Sequence, residues 1–281
     1  MNYRHQFHAG NFADVAKHAL LVLLLEALNK KPAPWCYYDT HAGAGGYDLE
    51  STAARKTGES DAGIRHLWSR RGSLPAPLEH LCRIVADLNP ELQDGEPPRY
   101  YPGSPWVAAA LAREQDRLVL AELHENEAGF LRQRLRGDKR VAVHVRDGYE
   151  MLQALIPPAE KRGLALLDPP FEDPGEFDKL ATELIAAAGR WPGGIYALWY
   201  PLKEETATKR FLRAVERSGL RKLLLTELRL PTAPGALAGS GLLILNPPWG
   251  TEGPMRECLE ALARELGPKG SSAEVRWLVS E

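Results

Sequence analysis

Eight short apolar runs, each bounded by turn residues, recur along the chain at 35–39, 117–122, 141–146, 164–168, 195–200, 222–229, 242–246 and 275–279. Between most of them the apolar residues instead return every three or four positions, which predicts helices over 104–113, 125–136, 149–156, 175–188, 204–218 and 254–266. Strands that alternate with helices in this way need crossover connections, and such connections build a parallel sheet covered on both faces. The expected fold is therefore α/β, with a doubly wound sheet.

One interval breaks the alternation. Residues 40–99 contain no strand-like run, only helical stretches around 61–71 and 78–88, and a Pro- and Gly-rich stretch at 94–105 closes the interval. This reads as a small helical subdomain (50–99) inserted into a core made of 1–49 and 100–281. Hydrophobic residues make up 44% and charged residues 26%, which leaves no room for a long disordered tail.

The net charge of −2 means that any nucleic-acid footprint must be local. Cys36, Cys82 and Cys258 are far apart and odd in number, so reduced thiols in a cytoplasmic protein are expected rather than a disulfide framework. Leu20 to Leu25 stops at Glu26, far short of the ~20 apolar residues that a membrane span needs. Arg4, His5, His8 and Asp14 stand where a signal peptide would be apolar. The eight histidines form no HExxH and no paired Cys/His spacing, so no metal is expected.

The first strand ends in Asp39-Thr40-His41-Ala42-Gly43-Ala44-Gly45-Gly46. A glycine-rich turn at the carboxyl end of a strand is where open α/β sheets bind ligands. This turn lacks the Gly-Lys-Ser/Thr of a P-loop, and no acid follows at dinucleotide spacing. The acid comes later, as Glu122 at the end of the next strand, placed to take both hydroxyls of a ribose. Asp147-Gly148 ends a third strand, where a carboxylate can accept from an adenine amine. Each acid alone reads equally well as a helix cap. Their succession suggests a nucleoside-containing cofactor.

A fourth strand ends in Asp168-Pro169-Pro170-Phe171. An exocyclic amine conjugated to a purine ring is a poor nucleophile, so methylating it requires acceptors that hold its protons while the nitrogen pyramidalises. Asp168 and the Pro169 carbonyl supply two acceptors, the paired prolines fix the backbone, and Phe171 can stack on an unpaired base. Asn246-Pro247-Pro248-Trp249 carries the same letters but follows a much later strand, and is read as a turn. Carbon-5 methylation of a pyrimidine would need a nucleophilic cysteine, commonly after proline, and no cysteine here follows proline.

Ahead of the first strand, Asn11, Asp14 and His18 share one helical face, and Asn11 and Asp14 suit a helix start. Lys17 and His18 have no capping role there, which favours a functional one. Several motifs together closely resemble the RlmJ family of bacterial 23S rRNA (adenine-N6)-methyltransferases. They are Tyr3-Arg4-His5, Phe7-His8-Ala9-Gly10-Asn11, Asp14 with Lys17-His18, the Asp39 to Gly45 turn, Tyr101-Pro102-Gly103-Ser104-Pro105, Glu122-Leu123-His124 and Asp168-Pro169-Pro170. The resemblance spans essentially the whole chain.

The resemblance implies a class I S-adenosylmethionine (SAM)-dependent methyltransferase fold, Rossmann-like, and an adenine target in 23S rRNA, at position 2030 in the family. It implies that His18, His41, Ser104, Glu122, Asp147, Gly148 and Asp168 contact SAM, and that Asp168 is catalytic. Tyr3 would touch the RNA, with Lys17, Pro169 and Phe171 completing the substrate side. Phe171 departs from the tyrosine associated with the motif, which removes any role for a phenol hydroxyl.

Arg55, Lys56, Arg65, Arg70 and Arg71 in the insertion, and Arg132, Arg134, Arg136, Lys139 and Arg140 after the second strand, are candidates for phosphate contacts, the insertion first. Two other readings compete: a DNA adenine-N6 methyltransferase, and a non-catalytic RNA-binding protein with the same fold. A monomer is expected.

Overall fold

In the computed structural model of the chain, residues 5–93, 95–232 and 236–280 are described. Eight strands form one sheet: β1 (Cys36–Asp39), β4 (Arg117–Ala121), β5 (Val141–His144), β6 (Gly163–Leu167), β7 (Ile195–Pro201), β8 (Leu223–Arg229), β9 (Gly239–Leu245) and β10 (Ser272–Val279). Their spatial order is β10-β8-β9-β7-β6-β1-β4-β5. The block from β7 through β6, β1 and β4 to β5 is parallel, whereas β9 runs against both β7 and β8, and β10 runs against β8. From β1 the chain moves outward to β4 and β5, then returns to lay β6 on the other side of β1. The reversal creates a crevice at the carboxyl ends of β1 and β6.

Strand residues alternate between two cores. Tyr37, Leu118, Leu120, Leu164 and Leu166 face one core, and Tyr38, Val119, Ala121, Ala165 and Leu167 face the other. The first core is covered by α1 (Phe12–Asn29), α5 (Ser104–Leu111) and α10 (Glu252–Leu266). The second is covered by α7 (Gly148–Leu155), α8 (Glu176–Arg190) and α9 (Glu205–Glu216). Helix α6 (Glu125–Arg134) follows β4 and sends Leu131 into the first core. The result is a three-layer arrangement with helices on both faces of the sheet.

Helix α1 is built from strong helix formers, and the Asn11 side chain caps it by accepting from the Ala13 and Asp14 N–H groups at 2.9 and 3.0 Å. It is buried on nearly every side, between α5, α10, α4 (Ala76–Asp87) and the sheet, which explains the aliphatic run Leu20 to Leu25. Among the described residues no helix is long and apolar enough to cross a membrane.

The interval read as strandless holds one short strand, and a second follows directly at its end. β2 (Gly46–Asp48) and β3 (Tyr100–Pro102) pair antiparallel and close the base of the excursion between them. Three residues are too few for an alternating pattern to register in sequence. Between β2 and β3 come α2 (Thr52–Thr57), α3 (Ile64–Trp68) and α4, and Ile64, Leu67, Leu78 and Leu81 join the core that holds α1.

Candidate active site at the carboxyl edge of the sheet

Because β6, β1, β4 and β5 are neighbours and parallel, their carboxyl ends bring Asp168, Asp39, Glu122 and Asp147 to one edge of the sheet. The four acids are not equivalent. Asp39 is fully buried, and its Oδ2 accepts from the Tyr37 hydroxyl at 2.8 Å and from the Ser104 hydroxyl at 2.7 Å, while Oδ1 accepts the His41 N–H at 3.2 Å. Burial pushes its pKa up to about 6 against those hydrogen bonds. Asp39 thus holds the shape of the glycine-rich turn from within.

Glu122 accepts the Gly43 N–H on Oε2 at 2.9 Å and the His124 N–H on Oε1 at 2.8 Å, so each oxygen keeps a lone pair for a ligand. Gly43 and Gly45 lie at φ +60° and +75°, where a side chain would strain the turn that brings the Gly43 amide to Glu122. Asp147 caps α7 through the Tyr149 and Glu150 N–H groups at 2.8 and 3.1 Å, and its Oδ2 lies 3.5 Å from Lys179 Nζ. A Cβ on Gly148 would stand 1.8 Å from the Thr40 carbonyl oxygen, so only glycine lets the β5–α7 turn close against the β1 turn. His41 sits between these turns, its ring edge-on to Tyr149 at 5.3 Å and its Nδ1 2.8 Å from Thr40 Oγ1.

Asp168 is partly buried, its side chain more covered than that of Asp147. Its Oδ2 accepts from Lys17 Nζ at 2.5 Å, and Lys17, 5% exposed, also lies 3.1 Å from Asp14 Oδ1. Asp14 Oδ2 in turn takes the Gly10 N–H at 3.0 Å and lies 2.8 Å from His5 Nε2. Burial would raise the Asp14 pKa, but the charges of His5 and Lys17 outweigh it and hold the carboxyl well below its usual value. Among the described residues none donates a hydrogen bond to the Pro169 carbonyl. Phe171, at φ +51°, packs its ring tilted against Phe177 and edge-on to Trp199, with centroids 4.7 and 5.7 Å away.

His18, 1% exposed, stacks on Tyr101 and its Nδ1 lies 2.9 Å from that hydroxyl, one layer behind the crevice. The segment before α1 is tied to the stretch after β2: Glu59 meets His8 Nδ1 at 2.8 Å and Asn11 Nδ2 at 2.9 Å, and Gln6 donates to the Ser51 hydroxyl at 2.9 Å and to the Asp48 carbonyl at 2.8 Å. These contacts fix residues 6–11 against residues 48–59. Tyr3 lies outside the described residues. Two participants escape sequence reasoning. They are His5, as the support of Asp14, and Trp199, whose ring lies 5.7 Å from Lys17 Nζ. Nothing in their spacing signals either contact.

A family model described as "Ribosomal RNA large subunit methyltransferase D, RlmJ" matches residues 32–279. The chain belongs to this family. It is 42% identical to the ribosomal RNA large subunit methyltransferase J of Escherichia coli K12, and 39% identical to that of Haemophilus influenzae, each over the full length of both chains. The crystal structure of a protein from Legionella pneumophila strain Philadelphia 1 superposes with a TM-score of 0.89 at 36% identity, covering 96% of this chain and 98% of that one. A probable spermidine synthase from Corynebacterium glutamicum, at 15% identity and a TM-score of 0.51, covers 97% of this chain and 77% of its own and shares the fold.

As an RlmJ-family member the chain uses SAM, and the edge fits that cofactor. SAM presents a cationic sulfonium, a ribose diol and an adenine amine, all of which seek acceptors or negative charge. The crevice offers Glu122, Asp147 and Asp168 with acceptor capacity to spare, beside a glycine turn in which the backbone itself forms the wall.

The second Pro-Pro copy lies elsewhere in this RlmJ-family fold. β9 is antiparallel to β7, with Leu245 beside Tyr196, so Asn246 falls at the opposite edge of the sheet from Asp168. Asn246, at φ +55°, donates through Nδ2 to the Pro192 and Gly194 carbonyls at 2.9 and 2.8 Å, and Trp249 is 98% exposed. It is a turn. Asn246→Ala is expected to cost about 1–3 kcal/mol of stability through the lost bonds and to leave kcat within about 2-fold, read by denaturant melts and initial rates. A loss of activity matching that of Asp168→Ala would show that the wrong copy has been chosen.

Buried histidines set the acid response of the fold. Burial pushes His18 down to about 3 and His41 down to about 4, the latter against the pull of Asp168 and Asp147. Below about 6.5 the unfolded chain binds protons at both imidazoles and the native state does not, so stability falls as pH falls through this window. Asp39, raised to about 6, has the opposite sign between about 6 and 4 and offsets part of the loss. Since His41 keeps some exposure, the net slope is of the order of one group, roughly 1 kcal/mol per pH unit. The melting temperature is expected to drop between pH 6.5 and 5, and His18→Asn to flatten that drop. A melting temperature indifferent to pH over this range would contradict neutral burial of His18.

Proposed function

We propose that this chain transfers the methyl group of SAM to the exocyclic N6 amine of an adenine in 23S rRNA. The observation that carries the reading is the environment of Asp168. One carboxylate oxygen is fixed by Lys17, while the other and the carbonyl of the next residue, Pro169, have no hydrogen-bond partner among the described residues.

SAM, when bound, supplies an activated methyl group on its sulfonium. The chain supplies alignment. Glu122 takes the ribose hydroxyls and Asp147 with Gly148 takes the adenine of the cofactor, while His41 closes the space between them. Ser104 and His18 act from one layer behind, through Asp39 and Tyr101. Asp168 Oδ1 and the Pro169 carbonyl accept the two N6 protons of the target base. Held in this way, the amine turns its lone pair out of the ring plane, and the proton released on transfer leaves along the Asp168 hydrogen bond. Phe171, braced by Phe177 and Trp199, is the aromatic partner for the base. Lys17 belongs to the same wall, and Tyr3 is read as a contact to the RNA.

Residues 50–99 are proposed as an inserted subdomain whose task is to hold the N-terminal strap at the substrate side. The enzyme is read as a cytoplasmic monomer that needs no metal. Labelled SAM offered with transcribed 23S rRNA, or with duplex DNA rich in adenine, tests the reading: label is expected in the RNA alone. Label in duplex DNA alone would replace the substrate class, and SAM binding without transfer to either would replace catalysis with binding.

A further inference from the structure

We infer that the outer face of α9 is a track for RNA phosphates leading away from the target base. The inference rests on the RNA reading above and names the surface that would hold the rest of the substrate. Helix α9 is sharply two-sided: Thr208, Phe211 and Val215 are buried, while Lys209, Arg210, Arg213 and Arg217 line the outside. A shallow groove of about 410 Å³ runs along this face, lined by Thr206, Lys209, Arg210, Arg213, Ala214 and Arg217, with no carboxylate in its lining. In a chain of net charge −2, four cations on one groove are a local concentration that the composition does not supply.

The position matters as much as the charge. Phe211 on the buried face of α9 packs on Phe177 at 5.7 Å, and Phe177 packs on Phe171 at 4.7 Å, so two aromatic rings join the helix that carries the groove to the catalytic loop. Arg210 is tied to Asp178 at 3.1 Å and anchors that end. The other cations are available. Lys209 meets only the exposed Glu205 at 2.6 Å among the described residues, a surface pair worth little and readily exchanged for phosphate. Arg213 and Arg217 form no ion pair with a described residue. From Lys209 to Arg217 the helix rises about 12 Å, long enough to follow a stretch of backbone.

Five of the ten basic residues that stand out in the sequence are committed to contacts within the fold. Arg55 and Arg65 bind Glu50, Arg70 meets Glu265 at 2.9 Å, Arg134 donates to the Ala44 carbonyl at 3.1 Å, and Arg140 closes on Asp138 at 2.6 Å. They hold the fold.

The test compares the wild type with the triple variant Lys209→Gln/Arg213→Gln/Arg217→Gln and with the charge-keeping variant Lys209→Arg/Arg213→Lys/Arg217→Lys. Arg210 is left in place. With a transcribed 23S rRNA fragment as probe, the neutral triple variant is expected to raise KM for RNA by on the order of 10-fold or more and to lower the slope of log Kd against log salt by about 2. Its kcat at saturating RNA is expected to stay within about 2-fold, with SAM affinity unchanged and the charge-keeping variant near wild type. An unchanged KM and salt slope in the neutral variant would overturn the track. Were the wild type to transfer no methyl group to the transcript, the functional reading would fall, and the salt slope of RNA binding alone would still decide for or against the groove.

Discussion

Asp168→Ala is expected to lower kcat by on the order of 10³-fold while SAM affinity changes little. The carboxylate stands at the end of β6, where the proposed mechanism holds the target amine, whereas the proposal seats the cofactor chiefly on groups at the ends of β1, β4 and β5. Removing it also leaves the fold a remedy. Lys17 keeps Asp14 at 3.1 Å, so its ammonium is not stranded, and the crevice loses an acceptor rather than its wall. Initial rates on rRNA together with calorimetric SAM binding separate the two effects. Retention of more than about a tenth of the activity would remove Asp168 from the centre of the mechanism.

Lys17→Met is expected to damage both stability and rate. Lys17 is 5% exposed and lies between two carboxylates, Asp14 at 3.1 Å and Asp168 at 2.5 Å. Deleting one member of a buried ionic cluster leaves charge without compensation, a loss of about 3–5 kcal/mol. For a chain of this size that corresponds to a fall in melting temperature of on the order of 10 °C. The rate should fall by on the order of 10²-fold, because Asp168 loses the contact that fixes which oxygen faces the amine. Adding Asp14→Asn to Lys17→Met should recover part of the stability but none of the rate. Recovery of both would mean that Lys17 serves the fold alone.

How much of this was legible in the sequence depends on what kind of interaction made it. The strands β1, β4, β6 and β7 were readable because a strand buried on both faces is a continuous apolar run, and Gly163–Leu167 is buried throughout. Strand order then placed the acids at one edge, since parallel neighbours present the same end. β2 and β3 were not readable, being three residues each. The roles of the acids were only partly so. Asp39 has the sequence position of a ligand-binding acid, yet Tyr37, Ser104 and the His41 amide saturate it, and those partners come from a neighbour on the strand, from α5 and from the turn. The link from Lys17 to Asp168 joins residues 151 positions apart, beyond any local pattern. The two Pro-Pro motifs differ in strand direction rather than in letters: β6 runs with its neighbours and β9 against them.

The most direct measurement is the identity of the methylated atom. Unmodified 23S rRNA is incubated with the protein and labelled SAM, then digested, and the labelled nucleoside is identified and mapped. The account predicts N6-methyladenosine at a single position in the wild type, and none with Asp168→Ala. Label on a ring carbon, on a ribose hydroxyl or on a base other than adenine would contradict it.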